Sequence, residues 1–215
     1  MTAGSSAEEV LRRLRDLHHG PAALAGALAP PPGAEGANAV LARSVAAEVL
    51  GEISGPDAIR ALAGALDDGR RAVRTAAALA LARKGEGGET ILPALGEALV
   101  DERWEVAEEA AAALSRAGGE AALRLLADTA GRGTGRAARK CAIRALGRWP
   151  GADAAHVLAG LPDDPDPQIR VSVLWALAGR PEAAAREALE ALARDPVREI
   201  RRRARDLLLK ARGRG

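Results

Sequence analysis

The sequence has no phenylalanine and no tyrosine, and only one cysteine, one methionine and three histidines in 215 residues. A sheet core draws on aromatic and β-branched side chains, so their shortage turns the expectation toward helices. One cysteine excludes an internal disulfide framework and any zinc site built on cysteines, and three histidines leave little for another metal. No stretch approaches the roughly 20 uncharged apolar residues of a membrane helix. Met1 to Val10 shows no basic segment followed by an apolar run, the pattern of a signal peptide. These absences predict a soluble, cytoplasmic protein with no membrane contact, no metal and no cofactor.

What is present is small and apolar. Hydrophobic residues make up 48% of the chain, nearly all of them alanine, leucine and valine, which is ample for a core and lets helices approach closely. The net charge of +2 is too mild to announce a nucleic-acid protein unless the positive charge is concentrated.

A period of 31 to 33 residues organises the chain. Aligning on one position gives Arg43, Arg74, Ala107, Arg139, Arg170 and Arg201. Seven residues later a leucine recurs at Leu50, Leu81, Leu114, Leu146, Leu177 and Leu208. Three residues after the arginine position stand Ala46, Ala77, Ala110, Ala142, Val173 and Ala204, and just before it Ala42, Val73, Val106, Ala138, Ile169 and Ile200. Offsets of four and four put these columns on one helical face, the buried stripe of a second helix in each unit. A shorter amphipathic segment precedes it, clearest in Pro56 to Leu66, Glu89 to Val100, Glu120 to Ala130 and Pro181 to Ala193. Turn residues such as Asp67-Asp68-Gly69 separate the two, so each unit is a helix hairpin.

The expected fold is therefore all-α: a right-handed α-solenoid of about six helix hairpins, with an N-terminal capping helix from Ala7 to His18 whose Ser6 and Glu9 have capping-box spacing. The domain reading is a tail and capping helix over 1–19, one solenoid over 20–212, and a tail over 213–215. Its repeats span about 20–55, 56–87, 88–118, 119–150, 151–180 and 181–212. The first has a longer connection, from Pro30 to Gly36.

The string Val73-Arg74-Thr75-Ala76-Ala77-Ala78-Leu79-Ala80-Leu81, with Ala46 to Ile53, resembles the HEAT repeat, in particular the short form named after phycobilisome lyases. The resemblance spans about residues 20–212 and implies fold more than function, because such proteins serve as scaffolds, adaptors, lyase subunits and, in a related form, DNA glycosylases. It also implies an aspartate in the turn six residues before the arginine. Asp68 with Arg74, Asp164 with Arg170 and Asp195 with Arg201 match, whereas the third repeat pairs Asp101 with Ala107 and the fourth pairs Gly133 with Arg139. The structural reading is a ladder in which turn carboxylates accept hydrogen bonds from arginines between neighbouring units.

If the stripe is buried, the opposite face of each second helix lines the concave side. Along the chain that ridge reads Val40, Ser44, Glu48; Arg71, Thr75, Leu79; Trp104, Glu108, Ala112; Arg136, Lys140, Arg144; Pro167, Val171, Trp175; and Arg198, Arg202, Asp206. Thr129 to Trp149 contains six basic residues and no acidic one. Trp104, Arg136, Lys140, Arg144, Trp175, Arg198 and Arg202 are accordingly the candidate binding residues, exposing apolar rings beside positive charge. Trp149 falls in the stripe and is expected in the core, as is Cys141.

These features point to a non-enzymatic scaffold or adaptor that binds an acidic protein or peptide. Nucleic acid is the alternative partner. Resemblance to the alkylpurine DNA glycosylases of this repeat class would make Glu108, four residues after Trp104, the candidate catalytic carboxylate, and resemblance to the lyases would imply a bilin lyase subunit. His156 stands alone on a first helix, and His18-His19 close the capping helix. The glycine clusters Gly85 to Gly88 and Gly131 to Gly135 follow helices rather than strands and read as turns.

Overall fold

The structure is a computed structural model of the chain and describes residues 26, 28, 37–131 and 135–212. The expected capping helix with Ser6 and Glu9, His18-His19, the connection from Pro30 to Gly36, and Gly133 lie outside the described residues.

Among the described residues every regular element is helical. Eleven helices follow one another: α1 (Ala37–Glu52), α2 (Pro56–Gly64), α3 (Arg71–Lys84), α4 (Leu92–Leu99), α5 (Trp104–Ala117), α6 (Gly119–Gly131), α7 (Arg136–Arg148), α8 (Ala152–Ala159), α9 (Pro167–Leu177), α10 (Ala183–Leu192) and α11 (Arg198–Arg212). Short 3-10 turns extend α2 through Ala65–Asp67 and introduce α4 through Gly88–Ile91. The odd-numbered helices are the second helices of the repeats.

Burial follows the sequence columns. Leu50, Leu81, Leu114, Leu146 and Leu177 are fully enclosed, as are Ala46, Ala77, Ala110, Ala142, Val173 and Ala204. Leu208 is the exception in its column and is half-buried. First helices contribute the complementary stripes, for example Ala58 with Leu62 on α2, Ala122 with Leu126 on α6, and Ala185 with Leu189 and Leu192 on α10. Removing a leucine methyl stripe of this kind costs about 2–5 kcal/mol per residue, so the column is what holds the helices together.

Chain direction reverses where glycine allows it. Helix α3 ends at Gly85, whose φ of 71° is left-handed and free of penalty only without a Cβ. Gly87 is doubly constrained: its φ is 93°, and a Cβ there would sit 2.4 Å from Ile91 Cγ2.

The helices pack as two compact units, residues 1–98 and 99–215. Within the first, α1 lies along α3 and α2 packs on both. Within the second, α5, α7, α9 and α11 are successive neighbours in one layer, and α6, α8 and α10 form the layer behind them. No helix among the described residues is long and apolar enough to cross a membrane.

Candidate functional site

The turn aspartates organise four of the repeats before any partner enters. Asp68, Asp101, Asp164 and Asp195 each use Oδ1 to accept the backbone N–H two residues ahead, from Arg70, Arg103, Asp166 and Val197 at 2.7–2.9 Å. This sets the chain at the start of the following helix. The arginine six residues on donates to the backbone carbonyl of the same aspartate: Arg74 to Asp68 at 2.7 Å, Arg170 to Asp164 at 2.8 Å, and Arg201 to Asp195.

The aspartate's carboxylate instead meets the arginine of the preceding repeat. Arg43 pairs with Asp68 at 3.0 Å, Arg139 with Asp164, and Arg170 bidentately with Asp195 at 2.6 and 3.0 Å. Arg43, Arg139 and Arg170 thus each link their own repeat to the next. Arg74 meets Glu97 on α4 at 2.7 Å in place of a turn aspartate. For a rung from the third repeat to the fourth the sequence supplies neither group, with Ala107 in place of the arginine and Gly133 in place of the aspartate. Arg170 and Asp195 are the most enclosed pair, with side chains 9% and 2% exposed. Burial alone would raise the Asp195 pKa; the Arg170 hydrogen bonds, the Val197 N–H and the charges of Arg170 and Arg201 together outweigh it and hold the carboxyl below its ordinary value.

A second set of contacts between repeats had no sequence signal of its own. Arg180 reaches back to the end of α7 and donates to the carbonyls of Trp149 at 3.0 Å, Gly147 at 3.2 Å and Gly151 at 2.6 Å. Lys84 does the same for α1, donating to Ile53 O at 2.6 Å. Both satisfy carbonyls that a helix end leaves unpaired and place positive charge at the negative end of its dipole. Only the repeat register, ten residues beyond the ladder arginine, could have flagged them.

On the outward side of the second helices, the candidate binding residues separate into groups. Trp104 opens α5 and is 56% exposed, and Trp175 on α9 is 53% exposed. Trp149 is buried. Arg203 lies over the Trp175 ring, 5.4 Å from its centroid, and is fixed by Glu199 at 2.7 Å. Glu199 also holds Arg202 at 2.8 Å, and these two hydrogen bonds lower the Glu199 pKa. Arg136 is paired with Asp166, the N-cap of α9, and Arg144 with Glu108 on α5 at 2.7 Å. Lys140 and Arg148 are exposed and form no ion pair with a described residue; Arg198 is exposed as well.

Between α7 and α9 these side chains border a cleft of about 460 Å3, lined by Lys140, Arg144, Arg148, Val171, Ser172 and Trp175 over a floor of Gly147 and Ala176. The cleft brings together three of the candidate residues: Lys140, Arg144 and Trp175. Trp104, Arg136, Arg198 and Arg202 do not line it. Its floor is low because Gly147 meets α9 directly; a Cβ there would fall 2.9 Å from Ala176 Cα.

The sequence ridge needs correction in the first unit, where Thr75 and Leu79 are buried and present no open face. Glu108, the candidate catalytic carboxylate, is engaged by Arg144. Cys141 is buried beneath that pair, and burial followed by the Glu108 carboxylate pushes its thiol pKa up, away from nucleophile chemistry. No group of three or more histidine, cysteine and acidic side chains among the described residues is placed to hold a metal.

The family comparison matches at the arginine row and continues nearly to the end of the described chain. Residues 132–208 match the family model of HEAT repeats. Solved structures extend the likeness of fold. An engineered protein of a structural genomics programme is 21% identical over 90% of this chain and 98% of its own, with a TM-score of 0.50. A designed armadillo repeat protein in complex with peptide (KR)4 is 21% identical over 89% and 98%, also at 0.50. Human deoxyhypusine hydroxylase in complex with glycerol superposes less closely, at 0.48, with 24% identity over 95% and 89%. No curated protein matches the chain in sequence.

The frame of contacts that builds the cleft occurs a second time in the first unit. Arg43 and Arg139, Gly51 and Gly147, Asp68 and Asp164, Ala80 and Ala176, and Lys84 and Arg180 are each 96 positions apart. They make the same contacts within their own units: the ladder pair, the close glycine–alanine crossing and the capping cation. The residues that line the cleft do not follow this rule. Ser44, Glu48, Glu52 and Leu79 stand where Lys140, Arg144, Arg148 and Trp175 stand in the second unit. The frame serves packing in both places, and the charge and the exposed ring belong to one.

Proposed function

We propose that the chain is a scaffold or adaptor whose second unit binds an acidic protein or peptide on the outward face of α7 and α9. The observation that carries this reading is the pair of cations, Lys140 and Arg148, that pair with no carboxylate among the described residues and sit in the cleft that exposes Trp175. An acidic side chain would be drawn to the two cations, and an apolar one would cover the indole. That lysine and arginine merely keep an alanine-rich helix soluble accounts less well for the pattern, because the equivalent positions on α1 carry serine and glutamates on the same frame.

Tracking a phosphate backbone requires a run of free cations. Here Arg136 and Arg144 already pair with carboxylates of neighbouring repeats that a phosphate would have to displace, which favours recognition at one place over electrostatic tracking. The designed repeat protein of similar fold is in complex with a peptide of alternating Lys and Arg; the face of this chain has the charge suited to the opposite kind of peptide.

The test is a titration of labelled acidic peptides and of duplex DNA at several salt concentrations. The expected result is salt-sensitive peptide binding, lost when Arg136, Lys140 and Arg144 are changed together to Glu. Unchanged peptide binding in that variant, or DNA binding with a steeper salt slope and higher affinity than any peptide, would overturn the reading.

A further inference from the structure

We infer that Arg144 is an exchangeable arm of this binding site, held by Glu108 as an internal acid that a peptide displaces only when it brings a second carboxylate. The inference rests on the acidic-peptide reading above and concerns which peptides reach Arg144.

Lys140, Arg144 and Arg148 recur every fourth residue on α7 and so present three cations along about 12 Å of helix. All three border the cleft beside Trp175, yet among the described residues only the middle one has an anion already. Its partner comes from the neighbouring repeat, with Arg144 Nη2 donating to Glu108 Oε2 at 2.7 Å. Neither side chain is deeply enclosed, at 48% and 26% exposed, and ion pairs so open to solvent hold weakly. The remaining contact of Arg144 is a long approach of 3.9 Å to Cys141 Sγ. Glu108 also borders the smaller recess on the other side of α7, with Ser115, Arg116, Cys141 and Arg148. An arginine in this position can swing to a carboxylate in the cleft with little lost, provided the incoming acid replaces Glu108.

A ligand with one carboxylate is served by Lys140 and Arg148 and leaves Arg144 with Glu108. A second carboxylate competes for Arg144. Glu108 thereby lowers affinity for ligands with two acids in reach and leaves single-acid ligands nearly unaffected, so an opposing charge sets how strongly the site prefers one over the other.

The test measures the affinity of a labelled peptide alternating Glu and Leu, and of a version with a single Glu, for the wild-type chain and for variants at Glu108, Glu105 and Arg144. Glu108→Gln is expected to bind the alternating peptide about three- to ten-fold more tightly and the single-Glu peptide within about two-fold of wild type. In an Arg144→Gln background the same change should have little effect. Glu105→Gln removes an equal charge from the same helix and should leave both affinities within about two-fold. A gain equal in the Arg144→Gln background, a gain equal for Glu105→Gln, or no gain overturns the inference while leaving the acidic-peptide reading in place. Absence of binding by wild type and by Glu108→Gln alike overturns that reading and the inference with it.

Discussion

Among individual residues, the ladder arginines and aspartates show why spacing in sequence and pairing in space differ. The spacing of six links Asp164 to Arg170, yet the carboxylate belongs to Arg139 and the arginine takes the aspartate's backbone carbonyl. Spacing revealed the participants but not the partner, because a helix hairpin returns the chain to its neighbour about 25 residues away. Asp195→Ala should destabilise the second unit by about 3–5 kcal/mol, since it leaves the Arg170 guanidinium buried without an anion. Asp195→Asn should cost less, keeping an acceptor for the Val197 N–H; urea unfolding measures both. The sign of the pH dependence follows from the lowered Asp195 pKa. Its stabilising contribution is complete above the ordinary carboxylate value near 3.9 and is lost as pH falls through the lower folded value. The gap in stability between wild type and Asp195→Asn should therefore close in acid and remain constant from pH 5 to 8.

For the helices, the leucine and alanine columns made the second helices legible in full, because a 3.6-residue stripe repeated six times has no competing explanation. The first helices were read to within a few residues of their ends, where 3-10 turns and glycines decide the boundary. The ridge was read less well: Thr75 and Leu79 are buried because an all-round alanine and leucine helix has no polar side to predict from. Neither the close crossing at Gly147 nor the capping by Arg180 was visible, since a lone glycine and a lone arginine carry no local pattern. Gly147→Val should cost about 1–3 kcal/mol and weaken peptide binding, as the added atoms press on the α9 backbone and raise the cleft floor. Calorimetry and peptide titration on the same sample measure both. Arg180→Met should lower stability by about 2 kcal/mol and leave peptide affinity nearly unchanged, because the guanidinium serves the end of α7 and does not line the cleft.

For the molecule as a whole, a shared frame carries unlike surfaces. The contacts that pack α1 on α3 recur where α7 packs on α9, while serine, glutamates and a buried leucine are exchanged for lysine, arginines and an exposed tryptophan. Concentrated positive charge was legible in the sequence. Its division into committed and free cations was not, because Asp166 and Glu108 come from neighbouring repeats. The most direct measurement is the affinity of the alternating Glu and Leu peptide for wild type and for a Lys140→Glu, Arg148→Glu double variant whose unfolding midpoint matches wild type. A loss of at least about 30-fold is predicted, since each free cation is replaced by an anion. Equal affinity in the two proteins would contradict the account.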